Sequence, residues 1–267
     1  MNPAHDDLGT PVPLTHPVRR VVSLVPSLTE ALAATRRQAV VGATDWCTHP
    51  ADLDVARVRG TKNPDVRAIV ALAPDLVVAN REENRELDVR RLREAGVPVW
   101  VTVIETLDEA FVSMGRLFDE ALGWGVPSWL EQARARWEPA PAPGGPRVAV
   151  PIWRDPWMVV GGDTFTSDLM ARLGWVNAYG ERADGGERYP HVDLRDLDGL
   201  APEHLDLVLL PDEPYVFTAA DGPEAFTRAP TALVSGRLLT WYGPSLLEAR
   251  AQLESAVEGW PRPHSRQ

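Results

Sequence analysis

Apolar and polar residues alternate along this chain in short blocks that switch between strand and helix periods. Val21-Val22-Ser23-Leu24-Val25 is an apolar run of buried-strand length; Pro26 ends it, and a helix opens at Ser27 and reaches about Thr35. Val40–Ala43 predicts a second short strand, running out into Thr44-Asp45-Trp46-Cys47-Thr48-His49-Pro50. A helix from Val66, a strand at Leu76–Ala79, a helix over Glu86–Glu94 capped by Gly96 and a strand at Val97–Val103 follow. Leu107, Phe111, Met114, Leu117 and Phe118 recur at helical spacing, and Pro127 suits the first turn of a further helix carrying Trp129, Leu130, Ala133 and Trp137. Beyond the proline-rich stretch 138–145, strands are predicted at Arg147–Trp153, Met158–Val160, Leu205–Leu210 and Leu238–Thr240, with helices at Ser167–Leu173 and Ser245–Val257. Strands alternating with helices at these lengths indicate βαβ units around mostly parallel sheets.

One unit occurs twice, about 130 residues apart. Val66–Asn84 (VRAIVALAPDLVVANREEN) and Leu194–Tyr215 (LRDLDGLAPEHLDLVLLPDEPY) both place a short amphipathic turn before Leu-Ala-Pro-Asp/Glu. Each then runs into a hydrophobic strand that stops at charged residues. A unit used twice predicts two similar α/β lobes, and polar strand ends are where such sheets take ligands. The expected division is a loose tail over 1–17, an N-terminal lobe over 18–106, a linking helical segment and connector over 107–145, a C-terminal lobe over 146–258 and a tail over 259–267.

Composition narrows the function classes. A net charge of −11 argues against nucleic-acid or anionic-membrane partners, which demand a basic surface. No apolar stretch approaches membrane-spanning length, so no membrane insertion is expected. The first residues lack a basic region followed by an apolar run. As written, that predicts a cytoplasmic protein, or a periplasmic or extracellular one if the start codon lies upstream. Cys47 is the single cysteine, and Lys62 is the single lysine.

The segments RVVSLVPSLTEALAA, VVGATDWCTHP and RGTKNPDVRAIVALAPDLVVANREEN closely resemble the solute-binding proteins of cobalamin and iron-siderophore importers, the helical-backbone metal receptors. The resemblance runs from about Arg20 to Val257, with the cobalamin binders nearest. It implies two Rossmann-like lobes joined by a backbone α-helix, with the ligand held in a cleft between them and little hinge motion. It also implies a non-catalytic protein that binds a corrinoid or related metal chelate, haem and ferric siderophores included. No cofactor is required beyond that ligand.

Such a ligand is a flat, partly apolar disc edged with polar groups, so aromatic faces and a few hydrogen-bonding groups serve it best. Trp46, Trp153, Trp157, Tyr189, Trp241 and Tyr242 sit among Asp, Arg, Pro and Gly, the composition of exposed loops at strand ends. Trp100, Trp124, Trp129, Trp137 and Trp175 follow strand or helix periodicity and read as core; Trp260 reads as tail. By the resemblance, Trp153 and Tyr189 fall near positions of ligand-stacking aromatics, and the segment Asn80–Asn84 matches a ligand-meeting stretch. Arg81, Glu82 and Asn84 are therefore polar candidates. Lys62 stands in a matching loop, either meeting a ligand anion or solvated, and Arg154 pairs either with an acidic ligand or with Asp155.

Glu30 has two readings. In transporter-linked relatives a glutamate here docks on the ABC permease, yet Ser27-x-x-Glu30 is also a capping box. The second docking position holds Arg195, which argues against a permease partner. No phosphate loop, nucleophile elbow or His-Glu-x-x-His motif is present, and the glycine pairs 161–162 and 185–186 read as turns. No metal site is predicted; His49 and His191 are the weak candidates as axial ligands to a bound metal, with solvated loop histidine as the default. Two other functions stand as alternatives: an intracellular enzyme or chaperone acting on a chelate through Cys47 and His49, and an interaction module that has lost its ligand. A missed export signal would restore the importer component.

Overall fold

A computed structural model describes residues 4–15, 17–138, 144–180, 187–201 and 203–257. The glycine pair 185–186, Trp260, the 259–267 tail and most of the 138–145 connector lie outside the described residues. The chain divides into two compact units. The first comprises Met1–Ile104, Asp108–Arg134 and Tyr242–Pro244; the second comprises Glu105–Leu107, Ala135–Trp241 and Ser245–Gln267.

Unit 1 opens with a hairpin of β1 (Ala4–His5) and β2 (Pro11–Val12). Then come β3 (Val21–Ser23), α1 (Pro26–Arg36), β4 (Val40–Ala43), β5 (Ala56–Arg57) and the hairpin β6 (Arg59–Gly60) and β7 (Asn63–Pro64). They are followed by α2 (Val66–Ala71), β8 (Leu76–Asn80), α3 (Glu86–Glu94) and β9 (Val99–Thr102). The main sheet has the order β5-β4-β3-β8-β9, every pair parallel. The chain thus leaves β3 in one direction through β4 and β5, then crosses to its other side at β8. That reversal is a topological switch point, and strand ends part there. Both faces of β8 are buried, as its unbroken apolar run requires.

The helices of unit 1 end as their sequences direct. Gly96 adopts φ 80° after α3, with Gly96 N–H donating to Arg93 O and Val97 N–H to Leu92 O, a Schellman close. The same pair of bonds forms at Gly174 (φ 76°), after the unit 2 helix Phe165–Arg172, from Gly174 to Ala171 and Trp175 to Met170. The α1 N-terminus departs from expectation. Pro26 is its first residue and no side chain caps it, so Ser27 lies inside the helix and the Ser27–Glu30 capping box does not form. Proline at the first position already dispenses with one unpaired N–H.

The expected loose tail is also corrected: residues 4–13 are clasped to unit 1. Asp6 is buried and accepts from Leu8 N (3.0 Å), Thr10 N (2.9 Å) and Arg93 (2.7 Å). Asp7 accepts from Arg116 (2.6 Å), Val103 N (3.0 Å) and the Ser113 hydroxyl. Proline and polar content suggested disorder, but Arg93, Arg116, Ser113 and Val103 stand far away in sequence. Helix α4 (Leu107–Arg116) continues as a π-turn over Leu117–Ala121, and α5 (Ser128–Trp137) follows. Residues 108–134 pack on unit 1: Trp124 donates to Val18 O (2.9 Å), Trp129 to the Thr35 hydroxyl (3.0 Å), and both rings meet Phe118.

Unit 2 contains β10 (Arg147–Ala149), the antiparallel pair β11 (Pro151–Trp153) and β12 (Met158–Val159), α6 (Phe165–Arg172) and β13 (Val176–Asn177). It continues through α7 (Leu194–Gly199), β14 (Leu207–Pro211), β15 (Thr231–Val234), α8 (Gly236–Thr240) and α9 (Leu246–Val257). Its sheet order is β13-β10-β14-β15, all parallel. The first strand is again flanked by the two halves of the chain, so a second switch point lies between β10 and β14.

The sequence repeat therefore has one structural meaning. In each unit it is the helix that crosses to the far side of the first strand (α2, α7) and the strand that pairs there (β8, β14). Each crossing helix is capped by an aspartate: Asp65 accepts from Ala68 N (3.0 Å) and Asp193 from Arg195 N (2.7 Å). The strand expected at Leu238–Thr240 is the helix α8 instead, and the edge strand is β15. Asp212 accepts from Gly236 N (2.7 Å), and Thr240 bonds back to Gly236 O (2.9 Å), which turns the apolar Leu238-Leu239 pair into helix. Among the described residues no helix is long and apolar enough to cross a membrane.

Candidate functional site

The carboxyl ends of the parallel strands carry the candidate residues in both units. In unit 1 two asparagines stitch the end of β8 to its neighbours, Asn80 to β9 and Asn84 to the end of β3. The Asn80 carboxamide oxygen accepts from Glu82 N (2.8 Å) and Glu83 N (3.3 Å), while its NH2 donates to the Thr102 hydroxyl (3.1 Å). Asn84 accepts from Asn80 N (2.9 Å) and donates to Leu24 O (3.2 Å) and Thr61 O (3.0 Å). Asn84, expected to meet ligand, is thus buried with its amide spent on three backbone groups.

Lys62, at the tip of the β6–β7 hairpin, donates to the Glu82 backbone carbonyl. Glu83 stands half-buried beside it. Burial pushes the Glu83 carboxyl up from its ordinary value, opposed by the Lys62 charge and reinforced by Glu82. Arg81 is exposed, and its backbone N–H continues the ladder to Thr102 O (3.0 Å).

Trp46 follows β4 and is 66 % exposed. Its loop is held by Arg57, whose guanidinium donates to Thr44 O (3.0 Å), Cys47 O (2.9 Å) and Leu53 O (3.1 Å). The Trp46 Nε1 lies 3.3 Å from where a Cβ on Gly60 would stand, so the ring flanks the hairpin that carries Lys62. Unit 1 therefore gathers Trp46, Lys62, Glu82 and Asn84 around one hairpin.

In unit 2 the segments after β10 and β14 meet in a run of rings. Trp153 is 45 % exposed and meets Tyr215 edge-on at 5.7 Å. Tyr215 lies 4.7 Å from Phe217, Phe217 stacks on Trp157 at 5.8 Å, and Trp157 meets Phe226 at 5.4 Å. Trp157 is buried in this run, not exposed as its Arg, Asp and Pro neighbours suggested. The covering phenylalanines come from a loop sixty or more residues later, which local composition does not reveal.

Arg154 lies between these rings and three acids. Its guanidinium contacts Asp221 and Glu224 (2.7 Å), approaches Asp155 (3.6 Å) and covers the Trp157 ring at 5.3 Å. Both sequence readings of Arg154 are thereby extended: it pairs with acids of its own chain, chiefly from the loop after β14. Tyr215 donates to the other oxygen of Asp221 (2.7 Å), and that bond together with burial raises the phenol above its ordinary range. Tyr215, Asp221 and Glu224 were missed as site residues. The signal for Tyr215 is its place at the end of the second repeat, where Pro211-Asp-Glu-Pro-Tyr215 matches the polar break after β8.

Tyr189 is half-buried in a segment that runs beside β12: Gly161 N–H donates to Arg188 O (2.8 Å) and Val159 N–H to Pro190 O (3.1 Å). A Cβ at Gly161 would come within 2.7 Å of Glu187 O, so glycine is required for that approach. Arg188 forms an ion pair with Glu105. Trp241 and Tyr242 follow α8 and are both buried, which corrects the expectation of exposed loop rings. Leu238 and Leu239 turn inward with them.

The reactive-group candidates fare differently. Cys47 is fully buried, with the Thr29 and Thr44 hydroxyls at 3.0 and 3.1 Å from Sγ. Burial raises its thiol pKa more than those hydrogen bonds lower it. His49 and His191 are exposed. Among the described residues no group of three or more His, Cys, Asp or Glu is placed to hold a metal ion.

No protein-family model matches the chain. The chain is 30 % identical over 95 residues to the vitamin B12-binding protein of Vibrio parahaemolyticus, covering 35 % of this chain and about a third (34 %) of that protein. It is 24 % identical over 196 residues to that of Vibrio campbellii, covering 71 % of this chain and 70 % of the relative.

Among solved structures it is similar to the periplasmic vitamin B12 binding protein of Vibrio cholerae, with TM-score 0.68 and 18 % identity over 91 % of this chain and 97 % of that one. It is also similar to a periplasmic haem-binding protein from Pseudomonas aeruginosa, with TM-score 0.72 and 22 % identity over 91 % and 93 %. Both structures are described as periplasmic, which overturns the cytoplasmic expectation. That expectation rested on the composition of the first residues alone. At these identities the solved structures show the fold, and the sequence match at 30 % identity spans about a third of the chain.

Proposed function

We propose that this chain is a non-catalytic binding protein for a corrinoid or related metal chelate, met by exposed aromatic rings at parallel-strand ends. The observation that carries the reading is the exposed Trp153 ring, held edge-on by Tyr215 at the switch point of unit 2. A large ring propped by a second ring loses little side-chain entropy on contact, and it offers the apolar face that a flat macrocycle needs. Trp46 offers a similar face at the strand ends of unit 1. Relatives named as vitamin B12- and haem-binding proteins give the ligand class.

The enzymatic alternative loses its thiol, since Cys47 is buried and its pKa raised. Docking on a permease through Glu30 is not part of this proposal, because that side chain is buried at 7 % exposure. The partner proposed is the small chelate itself.

The test is titration of the purified protein with cyanocobalamin, dicyanocobinamide and haemin, reading tryptophan fluorescence and melting temperature. Ligand at a hundred times its Kd adds about 2.7 kcal/mol of stability, a readily measured shift. Trp153→Ala should weaken binding by about tenfold or more, as loss of an aromatic anchor does. Absence of quenching and of any melting shift with all three ligands would refute the proposal.

A further inference from the structure

We propose that Asp221 and Glu224 are specificity-determining residues: by occupying Arg154 they bias the unit 2 strand ends against carboxylate-bearing chelates and toward uncharged or cationic ones. This rests on the binding function proposed above and names the ligand chemistry within it.

Arginine is the side chain best suited to grip a carboxylate, through a planar fork of N–H donors. Arg154 is the cation beside the exposed Trp153, so a chelate carrying carboxylates would be expected to use it. Here one arm of that fork, Nη1, is already taken by two acids, and Nε is buried without a hydrogen-bond partner. Asp221 and Glu224 both reach Nη1, and the Asp155 carboxylate stands 3.6 Å from Nε. Only 19 % of the Arg154 side chain is exposed, and its guanidinium carbon lies 5.3 Å from the Trp157 ring centroid.

The two acids are themselves fixed. The second oxygen of Asp221 accepts from the Tyr215 hydroxyl at 2.7 Å, and the second oxygen of Glu224 accepts from the Gly222 backbone N–H. Arg154 holds the Glu224 carboxyl below its ordinary range, so it stays ionised. A ligand carboxylate therefore competes with two intramolecular carboxylates that are already oriented. One positive and three negative charges (Asp155, Asp221, Glu224) leave a net charge of −2 next to Trp153. Like charges brought together at a binding surface select against the wrong partner, and salt weakens that selection.

The experiment uses two corrins that differ at their edge: cobinamide, edged by amides, and cobyrinic acid, edged by carboxylates, both as dicyano complexes. At low ionic strength the wild-type protein should prefer cobinamide by about tenfold or more, and the preference should shrink as salt is raised. In D221N/E224Q, with folding checked by circular dichroism, the preference should fall by about tenfold because Arg154 is released. Adding R154M to that variant should abolish the gain for cobyrinic acid.

If cobinamide binds but the ratio is the same in wild type and D221N/E224Q, or wild type prefers cobyrinic acid, this inference fails and the binding function stands. If neither corrin nor haemin binds the wild-type protein, both are overturned. Should the double variant misfold, D221N alone serves, and an unchanged ratio there overturns the inference equally.

Discussion

The side-chain amide of Asn84 donates to the carbonyl of Leu24, sixty residues earlier, at 3.2 Å, and so ties the loop after β8 to the end of β3. The same side chain holds Thr61 O and Asn80 N–H, so one residue joins three strand-end segments of unit 1. Asn84→Ala would leave three buried or half-buried backbone groups without their partner. Each such loss costs about 1–3 kcal/mol before relaxation. We expect Asn84→Ala to lower unfolding free energy by about 3 kcal/mol in urea titrations, with an unchanged denaturant slope. A loss under about 1 kcal/mol would mean that water replaces the amide, and that the stitch is not structural.

Removal of the N-terminal clasp should be comparably costly. Asp7 serves Arg116, Ser113 and Val103 N together, and the Arg116 guanidinium lies 5.4 Å from the Trp100 ring centroid. Asp7→Ala is expected to cost about 1–3 kcal/mol, because it leaves the Ser113 hydroxyl and the Val103 N–H without their partner while Arg116 keeps Glu120 (3.3 Å). Deleting residues 1–13 goes further. It removes the bond from Asp7 N to Val101 O and uncovers β9, which ends the unit 1 sheet order. An uncovered edge strand invites pairing with other copies, so light scattering on warming should rise in the truncated protein. An equally stable, non-aggregating truncation would show the clasp to be ornamental.

The repeat was the most legible feature of the chain. Leu-Ala-Pro-Asp/Glu followed by an apolar strand is local in sequence, and both copies became the crossing helix and its strand. Gly96 was legible for the same reason, since a Schellman close involves only neighbouring residues. The clasp was not legible: Asp6 and Asp7 sit in a polar, proline-rich stretch, and their arginines stand 87 and 109 residues away. Trp157 was misread because its immediate neighbours are loop-like while its covering rings, Phe217 and Phe226, arrive from a distant loop. Arg154 stood out as a cation among loop aromatics, but its acids could not be assigned without the loop after β14. Leu238–Thr240 shows the remaining limit, since a short apolar run fits strand and helix equally and the Asp212–Gly236 bond decides.

Cys47 gives a prediction that separates burial from reactivity. The thiolate is the reacting form, and here burial raises the thiol pKa against the weaker pull of Thr29 and Thr44. The native protein should therefore react negligibly with an aromatic disulfide reagent at about pH 8 over the time in which the protein in denaturant reacts fully. Reaction in native buffer should follow the rate of structural opening and be insensitive to reagent concentration once that is high. Prompt stoichiometric labelling of folded protein would contradict the buried position and revive a role for the thiol.

Asp198 sets an acid limit on unit 2. It lies at the end of α7 and accepts from Thr227 N (3.2 Å), the Thr227 hydroxyl (2.7 Å), Arg228 N (2.9 Å) and Ala229 N (2.8 Å), which fixes the approach to β15. Burial alone would push its carboxyl up, but the four hydrogen bonds outweigh it and bring the pKa from 3.8 to about 2. Because the folded value is below the unfolded one, the stabilisation is complete above about pH 4. It fades as pH falls toward about 2 and is absent below that. A shift of that size corresponds to about 2 kcal/mol at neutral pH. Asp198→Asn should accordingly lower stability at neutral pH by about 2 kcal/mol and flatten the part of the stability curve between about pH 4 and 2. Parallel curves for variant and wild type across that window would show that the carboxylate does not carry the acid transition.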